Sequence, residues 1–176
     1  MIKAELRTKM KMVELDNSTK LIYDKAINDF LEKLLFNYEK IAVFKALEYE
    51  VNIDQTINRY INKKNIYLPV AKKKLRFYKY SLDTKLIRSN YNVMEPTCST
   101  EISINDLEVI VIPSLAINKK GYRLGHGAGY YDKALKDFKG LKIGVIYSYG
   151  FINDEYQENH DMKFDIVITE KEIIRM

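Results

Sequence analysis

Four of the chain's seven glycines lie between positions 121 and 129, in Gly121-Tyr122-Arg123-Leu124-Gly125-His126-Gly127-Ala128-Gly129-Tyr130-Tyr131-Asp132. Glycine at alternate positions lets backbone N–H groups turn toward one point, and where such a loop opens a helix the positive end of the helix dipole reinforces them. That arrangement suits a phosphate. Arg123 would add a forked donor for phosphate oxygens, and Asp132, in the first turn of the following helix, would hold a cation bridging them. The same glycines could also serve only a tight strand-to-helix turn. The segment is not a P-loop, because no Gly-Lys-Ser/Thr closes it, and it is not the Gly-x-Gly-x-x-Gly of dinucleotide-binding folds.

Few other residues stand out by type. One cysteine, Cys98, and two histidines exclude a disulfide framework or a Cys/His zinc site built from this chain alone. A net charge of +5 fits nucleic acid or an anionic small substrate equally. The run Arg76-Phe77-Tyr78-Lys79-Tyr80 interleaves cations with aromatics as a nucleic-acid platform would. Lys3 and Arg7 fall one turn apart, and by spacing alone they describe a solvated helix face.

The elements that must position these residues follow from hydrophobic spacing. Ile2, Leu6, Met10 and Val13 predict a helix over Ile2 to Leu15; Asn17-Ser18 caps a second, Leu21 to Phe36, with Ile22, Ala26, Ile27, Phe30, Leu34 and Leu35 inward. Strands are expected at Ile41 to Phe44, Ile66 to Pro69, Leu107 to Ile112, Lys142 to Tyr147 and Ile166 to Thr169. Helices are expected at Val51 to Ile61 and Tyr130 to Phe138. Alternation over Lys72 to Tyr80 predicts a half-exposed strand near a sheet edge, and Ser81 to Asn105 reads as mostly loop. Strands alternating with helices imply one α/β domain over residues 1–176, a three-layer α/β/α sandwich with a central, mostly parallel sheet. The apolar fraction of 47% excludes wholesale disorder, and no apolar run is long enough to span a membrane. The charged N-terminus lacks a signal-peptide core, so the expected compartment is the cytoplasm.

Ile112-Pro113-Ser114-Leu115-Ala116, Gly121 to Gly125 and Gly129-Tyr130-Tyr131-Asp132 together resemble the 5-formyltetrahydrofolate cyclo-ligase (methenyltetrahydrofolate synthetase) family. The resemblance extends to Lys3-x-x-x-Arg7, Glu50-Val51, Asn92-Val93-Met94-Glu95-Pro96, His160-Asp161 and Asp165 to Glu170. It implies an ATP- and magnesium-dependent ligase that closes 5-formyltetrahydrofolate to 5,10-methenyltetrahydrofolate and releases ADP and phosphate.

By that resemblance, Lys3 and Arg7 contact ATP phosphates, and Arg123, Leu124, Gly125, His126, Gly127, Ala128, Gly129, Tyr130 and Tyr131 cradle them. Arg123, His126 and Tyr130 take part in catalysis, Asp132 and Asp161 hold magnesium, and Glu50, Tyr91 and Tyr130 bind the folate. The expected partners are therefore reduced folate and ATP, for a monomer that binds neither nucleic acid nor membrane. One common family version of the loop carries arginine where His126 stands and lysine where Ala128 stands. Both charges are lost here, although a protonated His126 would restore part of one. A relative that binds folate or nucleotide with weakened turnover is the alternative reading.

Overall fold

A computed structural model describes residues 2–176. The helices are α1 (Lys3–Lys11), α2 (Asn17–Leu35), α3 (Asp54–Tyr60) and α4 (Tyr130–Ala134). The strands are β1 (Lys40–Ala42), β2 (Asn65–Ala71), β3 (Leu75–Tyr80), β4 (Leu86–Arg88), β5 (Met94–Pro96), β6 (Glu101–Ile102) and β7 (Val109–Pro113). They continue with β8 (Ala116–Asn118), β9 (Arg123–Leu124), β10 (Leu141–Val145), β11 (Phe151–Ile152), β12 (Ile166–Ile168) and β13 (Ile173–Arg175).

Eight strands form the central sheet in the order β13-β12-β10-β7-β1-β2-β3-β6. From β12 to β2 every neighbouring pair is parallel, whereas β13, β3 and β6 join antiparallel at the two ends. The architecture is the mixed α/β fold expected from the alternation of elements. Strand β7 lies at the middle with both faces buried, so its residues read as one apolar run: Val109 and Val111 face one layer, Ile110 and Ile112 the other. Ile27, Leu31 and Leu35 of α2 and Ile57 of α3 cover the first face. The second face is covered by Leu135, Phe138, Ile117 and Phe164, carried by the end of α4, the small sheet and a loop. Among the described residues, no helix is long and apolar enough to cross a membrane.

Several local expectations change. Asp16, not Asn17-Ser18, caps α2: its Oδ1 accepts from Thr19 N at 2.9 Å. Hydrogen bonds from Ser18 and Thr19 hold that carboxyl below the usual range. Ile22 is 66% exposed rather than inward. The N-terminal half of α2 instead turns Asp24 and Asn28 inside, where Asp24 Oδ1 accepts from Tyr147 Oη (2.6 Å) and Asn52 N (3.1 Å). Asn28 Oδ1 accepts from the N and Oγ1 of Thr56. This polar seam pins the connection from β1 to α3.

Helix α1 ends at Lys11, short of Val13, and α4 ends at Ala134, after which a turn continues to Phe138. Lys72 to Lys74 form the turn between β2 and β3 instead of belonging to β3. The stretch from Ser81 to Asn105 contains the β4–β5 hairpin, whose register pairs Ile87 with Glu95. A second sheet, β11-β8-β9, follows β7. Leu6 and Met10 of α1 pack on it against Leu115, Ala116 and Leu124.

Candidate active site

Strand β7 delivers the chain to Pro113 at the carboxyl end of the sheet, where open parallel sheets place ligands. The β8–β9 hairpin then loops out and returns Arg123 to the same spot, its Nε donating to Pro113 O at 2.9 Å. Arg123 is only 8% exposed, and its guanidinium carbon lies 4.9 Å from the centre of the Tyr131 ring. The burial of that cation explains Gly125. A Cβ at 125 would stand 2.1 Å from Arg123 Nη1, so the guanidinium already fills the space of a side chain. Gly127 (φ +112°) and Gly129 (φ +68°) adopt backbone conformations that residues with a Cβ rarely enter. Because α4 spans little more than one turn, an anion held by this loop would rely on loop amides and cations more than on a helix dipole.

This loop separates two cavities. The larger, about 960 Å³, is lined by Lys3, Arg7, Leu124, Gly125, Gly127, Asp132 and Asp161. The smaller, about 380 Å³, is lined by Tyr49, Glu50, Tyr91, His126, Tyr130 and Tyr131. Arg123, Ala128 and Gly129 line both and form the shared wall. The candidate residues thus come together, but they divide between two chambers. His126, Tyr130 and Tyr131, whose backbone is expected in the phosphate cradle, line the smaller one.

Cations dominate the larger cavity. Arg7 reaches across from α1 to donate its Nε–H to Gly125 O at 2.8 Å. Lys3 Nζ donates to Asp161 at 2.7 and 3.0 Å and lies 3.1 Å from Glu158 Oε1. Burial works against its charge, but the bonds to Asp161 and Glu158 outweigh that and hold the ammonium above its usual range. Asp132 Oδ1 accepts from Met162 N at 2.9 Å, tying α4 to the residue after Asp161. No three His, Cys, Asp or Glu side chains gather as a metal cluster among the described residues. Two carboxylates on one cation-lined chamber nevertheless fit magnesium, which takes few protein oxygens and completes its shell with phosphate and water. Lys133, Lys136 and Lys163, lining residues that sequence reasoning did not single out, add further positive charge. In so lysine-rich a chain they carry no signal of their own.

The smaller cavity is built around Glu50, which is 6% exposed. Its Oε2 accepts from Leu47 N at 2.9 Å, and its Oε1 lies 3.1 Å from His126 Nε2. Burial pushes the Glu50 carboxyl up, opposed by the Leu47 bond and by Arg123 and Lys20. Burial, together with Arg123, Lys11 and Arg7, drives His126 down to about 4. The contact is therefore a hydrogen bond between a neutral imidazole and Glu50, with His126 donating in the tautomer that carries its proton on Nε2. At neutral pH His126 does not supply the positive charge that its protonated form was expected to restore.

Tyr130 Oη donates to Lys72 O at 2.6 Å and lies 3.3 Å from Tyr91 Oη, with the two rings edge to face at 6.0 Å. Tyr91, on the β4–β5 hairpin, stands 53% exposed at the mouth. Tyr49, Phe44, Pro69 and Glu95 are among the further lining residues that were not expected there. Glu95 lay within the Asn92 to Pro96 motif; the tyrosines of this chain are too many for one to stand out.

Comparison with known proteins matches this geometry to one family. The model of the 5-formyltetrahydrofolate cyclo-ligase family matches residues 2–170. A 5-formyltetrahydrofolate cyclo-ligase of Haemophilus influenzae is 28% identical over 141 residues, covering 74% of this chain and 75% of its own. The 5,10-methenyltetrahydrofolate synthetase of Aquifex aeolicus superposes with a TM-score of 0.88 at 29% identity, covering 99% of this chain and 93% of its own. That of Mycoplasma pneumoniae gives 0.80 at 25% identity, covering 97% and 99%. The family match over nearly the whole chain and the shared fold agree: the chain belongs to the 5-formyltetrahydrofolate cyclo-ligase family.

Proposed function

We propose that the protein catalyses the ATP- and magnesium-dependent closure of 5-formyltetrahydrofolate to 5,10-methenyltetrahydrofolate in the cytoplasm. The observation that carries this reading is the shared wall. A two-substrate phosphoryl transfer needs a nucleotide and an acceptor in separate chambers that meet at one cation, and Arg123 with Ala128 and Gly129 borders both.

The formyl group on N5 is an amide, whose carbon is a poor electrophile. Transfer of the γ-phosphoryl group to its oxygen releases ADP and converts that oxygen into a leaving group. N10 then attacks the carbon, the C–O bond breaks to release phosphate, and N10 gives up its proton. Lys3, Arg7, Arg123 and the amides of Gly125 to Gly129 bind the triphosphate. Arg123 faces the charge that develops as the phosphoryl group crosses the wall. Glu50 accepts from the amino-pyrimidinone edge of the pterin, and Tyr91 and Tyr130 flank the folate. Asp132 and Asp161 would hold magnesium, whose contribution is to neutralise the phosphate oxygens.

The neutral His126 and the uncharged Ala128 favour one second reading, a folate- and nucleotide-binding relative with slow turnover. A single assay separates the two. Protein, 5-formyltetrahydrofolate, ATP and magnesium are mixed, and the absorbance of the methenyl product is followed. Product formed at many turnovers per protein supports the ligase; binding of both substrates without product supports the relative.

A further inference from the structure

His126 belongs to the glycine loop, yet its ring serves the other chamber. Between Gly125 and Gly127 no neighbouring side chain competes for that direction. The ring meets Tyr49 edge to face, with centroids 5.7 Å apart and planes at 79°. Its Nε2 comes within 3.1 Å of Glu50 Oε1 across 76 positions of sequence. Glu50 is buried, and among the described residues no other protein group hydrogen-bonds to Oε1, while Oε2 is held by Leu47 N. A buried carboxylate oxygen without a donor is costly, so the His126 bond both satisfies Oε1 and sets the plane of the carboxylate. Each carboxylate oxygen can accept more than one hydrogen bond, which leaves capacity for a ligand. A neutral donor orients the group without cancelling its charge.

We propose that His126 is a positioning residue for folate: by holding Glu50 Oε1 from the nucleotide-binding loop, it orients the carboxylate that accepts the pterin's donors. The inference rests on the reading of the smaller cavity as the folate chamber. It gives this loop a second task, distinct from phosphate binding. The two tasks divide by atom, with loop backbone toward the larger cavity and one side chain toward the smaller.

The test compares the unaltered protein with His126→Ala and His126→Gln. The dissociation constant for 5-formyltetrahydrofolate is measured without nucleotide by quenching of tyrosine fluorescence, and the KM for ATP and the melting temperature are measured alongside. Losing a hydrogen bond to a charged group should weaken folate binding by about tenfold or more in His126→Ala. Glutamine, whose side-chain amide N–H reaches a similar distance, should recover most of it. The KM for ATP should stay within about twofold, because the loop backbone is unchanged. Unchanged folate binding in a folded His126→Ala, or a glutamine variant as weak as alanine, would overturn the inference and leave the ligase reading standing. Failure of the unaltered protein to bind folate would overturn that reading and this inference together.

Discussion

Lys3 Nζ lies 2.7 Å from Asp161 Oδ2, so the start of the first helix is paired with a carboxylate 158 positions away, on the wall of the larger cavity. Cation and anion satisfy each other, and under the proposed function a triphosphate would draw off the lysine and magnesium the carboxylate. Asp161→Asn should raise the magnesium concentration needed for half-maximal turnover by about tenfold or more, because one ligand charge is lost. Lys3→Ala removes a competitor for that carboxylate. It should leave the magnesium requirement unchanged or lower while raising the KM for ATP. Magnesium titrations of both variants at saturating folate check this; a parallel rise in both would show that the pair is structural only.

Gly125 is a stricter position than its φ suggests. Gly125→Ala places a methyl group on Arg123 Nη1, and the guanidinium cannot yield freely because it is stacked on Tyr131 and bonded to Pro113 O. Displacing a preorganised donor by about an ångström costs about 10- to 100-fold in turnover when it faces developing charge. Steady-state kinetics beside a melting curve should show that loss together with a melting temperature lowered by a few degrees, the overpacking cost of the clash.

His126 gives a pH signature. Its pKa falls from the ordinary 6.5 to about 4 on folding, so between those values the unfolded chain binds more protons than the native one. Stability from this group is complete above about pH 6.5 and is lost as pH falls toward 4. Glu50, pushed up by burial, works in the opposite sense, losing stability as pH rises. Melting temperatures of His126→Gln and the unaltered protein, compared between pH 4 and 7, isolate the histidine: the glutamine variant should fall less steeply on acidification.

Positive charge missing from position 128 can be restored. Ala128 lines both chambers, so Ala128→Lys should place an ammonium at their shared wall and lower the KM for ATP severalfold. Lys133, whose Cε lies 3.8 Å from the position a Gly129 Cβ would take, is the nearby cation already present on the larger cavity. Lys133→Ala should raise the KM for ATP, and more weakly so in the Ala128→Lys background. The ATP dependence of turnover for the three variants decides it; additive effects would mean that the two lysines do not serve the same phosphate.

How far the site is legible in sequence depends on whether local chemistry alone forces a residue's role. β7 is legible because a strand buried on both faces must be apolar throughout. The glycine loop is legible because positive φ at 127 and 129, and a guanidinium pressed against 125, admit little else. The direction of the His126 ring is not legible, since a residue between two glycines says nothing about which side it faces. That choice is made by Glu50 and Tyr49, brought near by the sheet. Ile22 misleads for a related reason: Tyr147 and Asn52 draw Asp24 inside, and a residue two positions away on a helix then faces solvent. Strands of two or three residues, such as β9 and β11, are too short to carry a period. The two-chamber division, which depends on those strands, is visible only in three dimensions.

Helix α1 lends Lys3 and Arg7 to the larger cavity while adding nothing to the sheet ladder. It rests on Leu6 and Met10 against the small sheet and on the two polar reaches to Gly125 and Asp161. Segments anchored so shallowly detach with less free energy than global unfolding requires. Backbone amides of residues 6–10 should therefore exchange with deuterium ahead of those of residues 109–112, and a triphosphate gripped between Arg7 and Arg123 would slow them. On the proposed function the first helix would then be the gauge of the larger chamber: its exchange rate would read out nucleotide occupancy, whatever happens in the chamber next door.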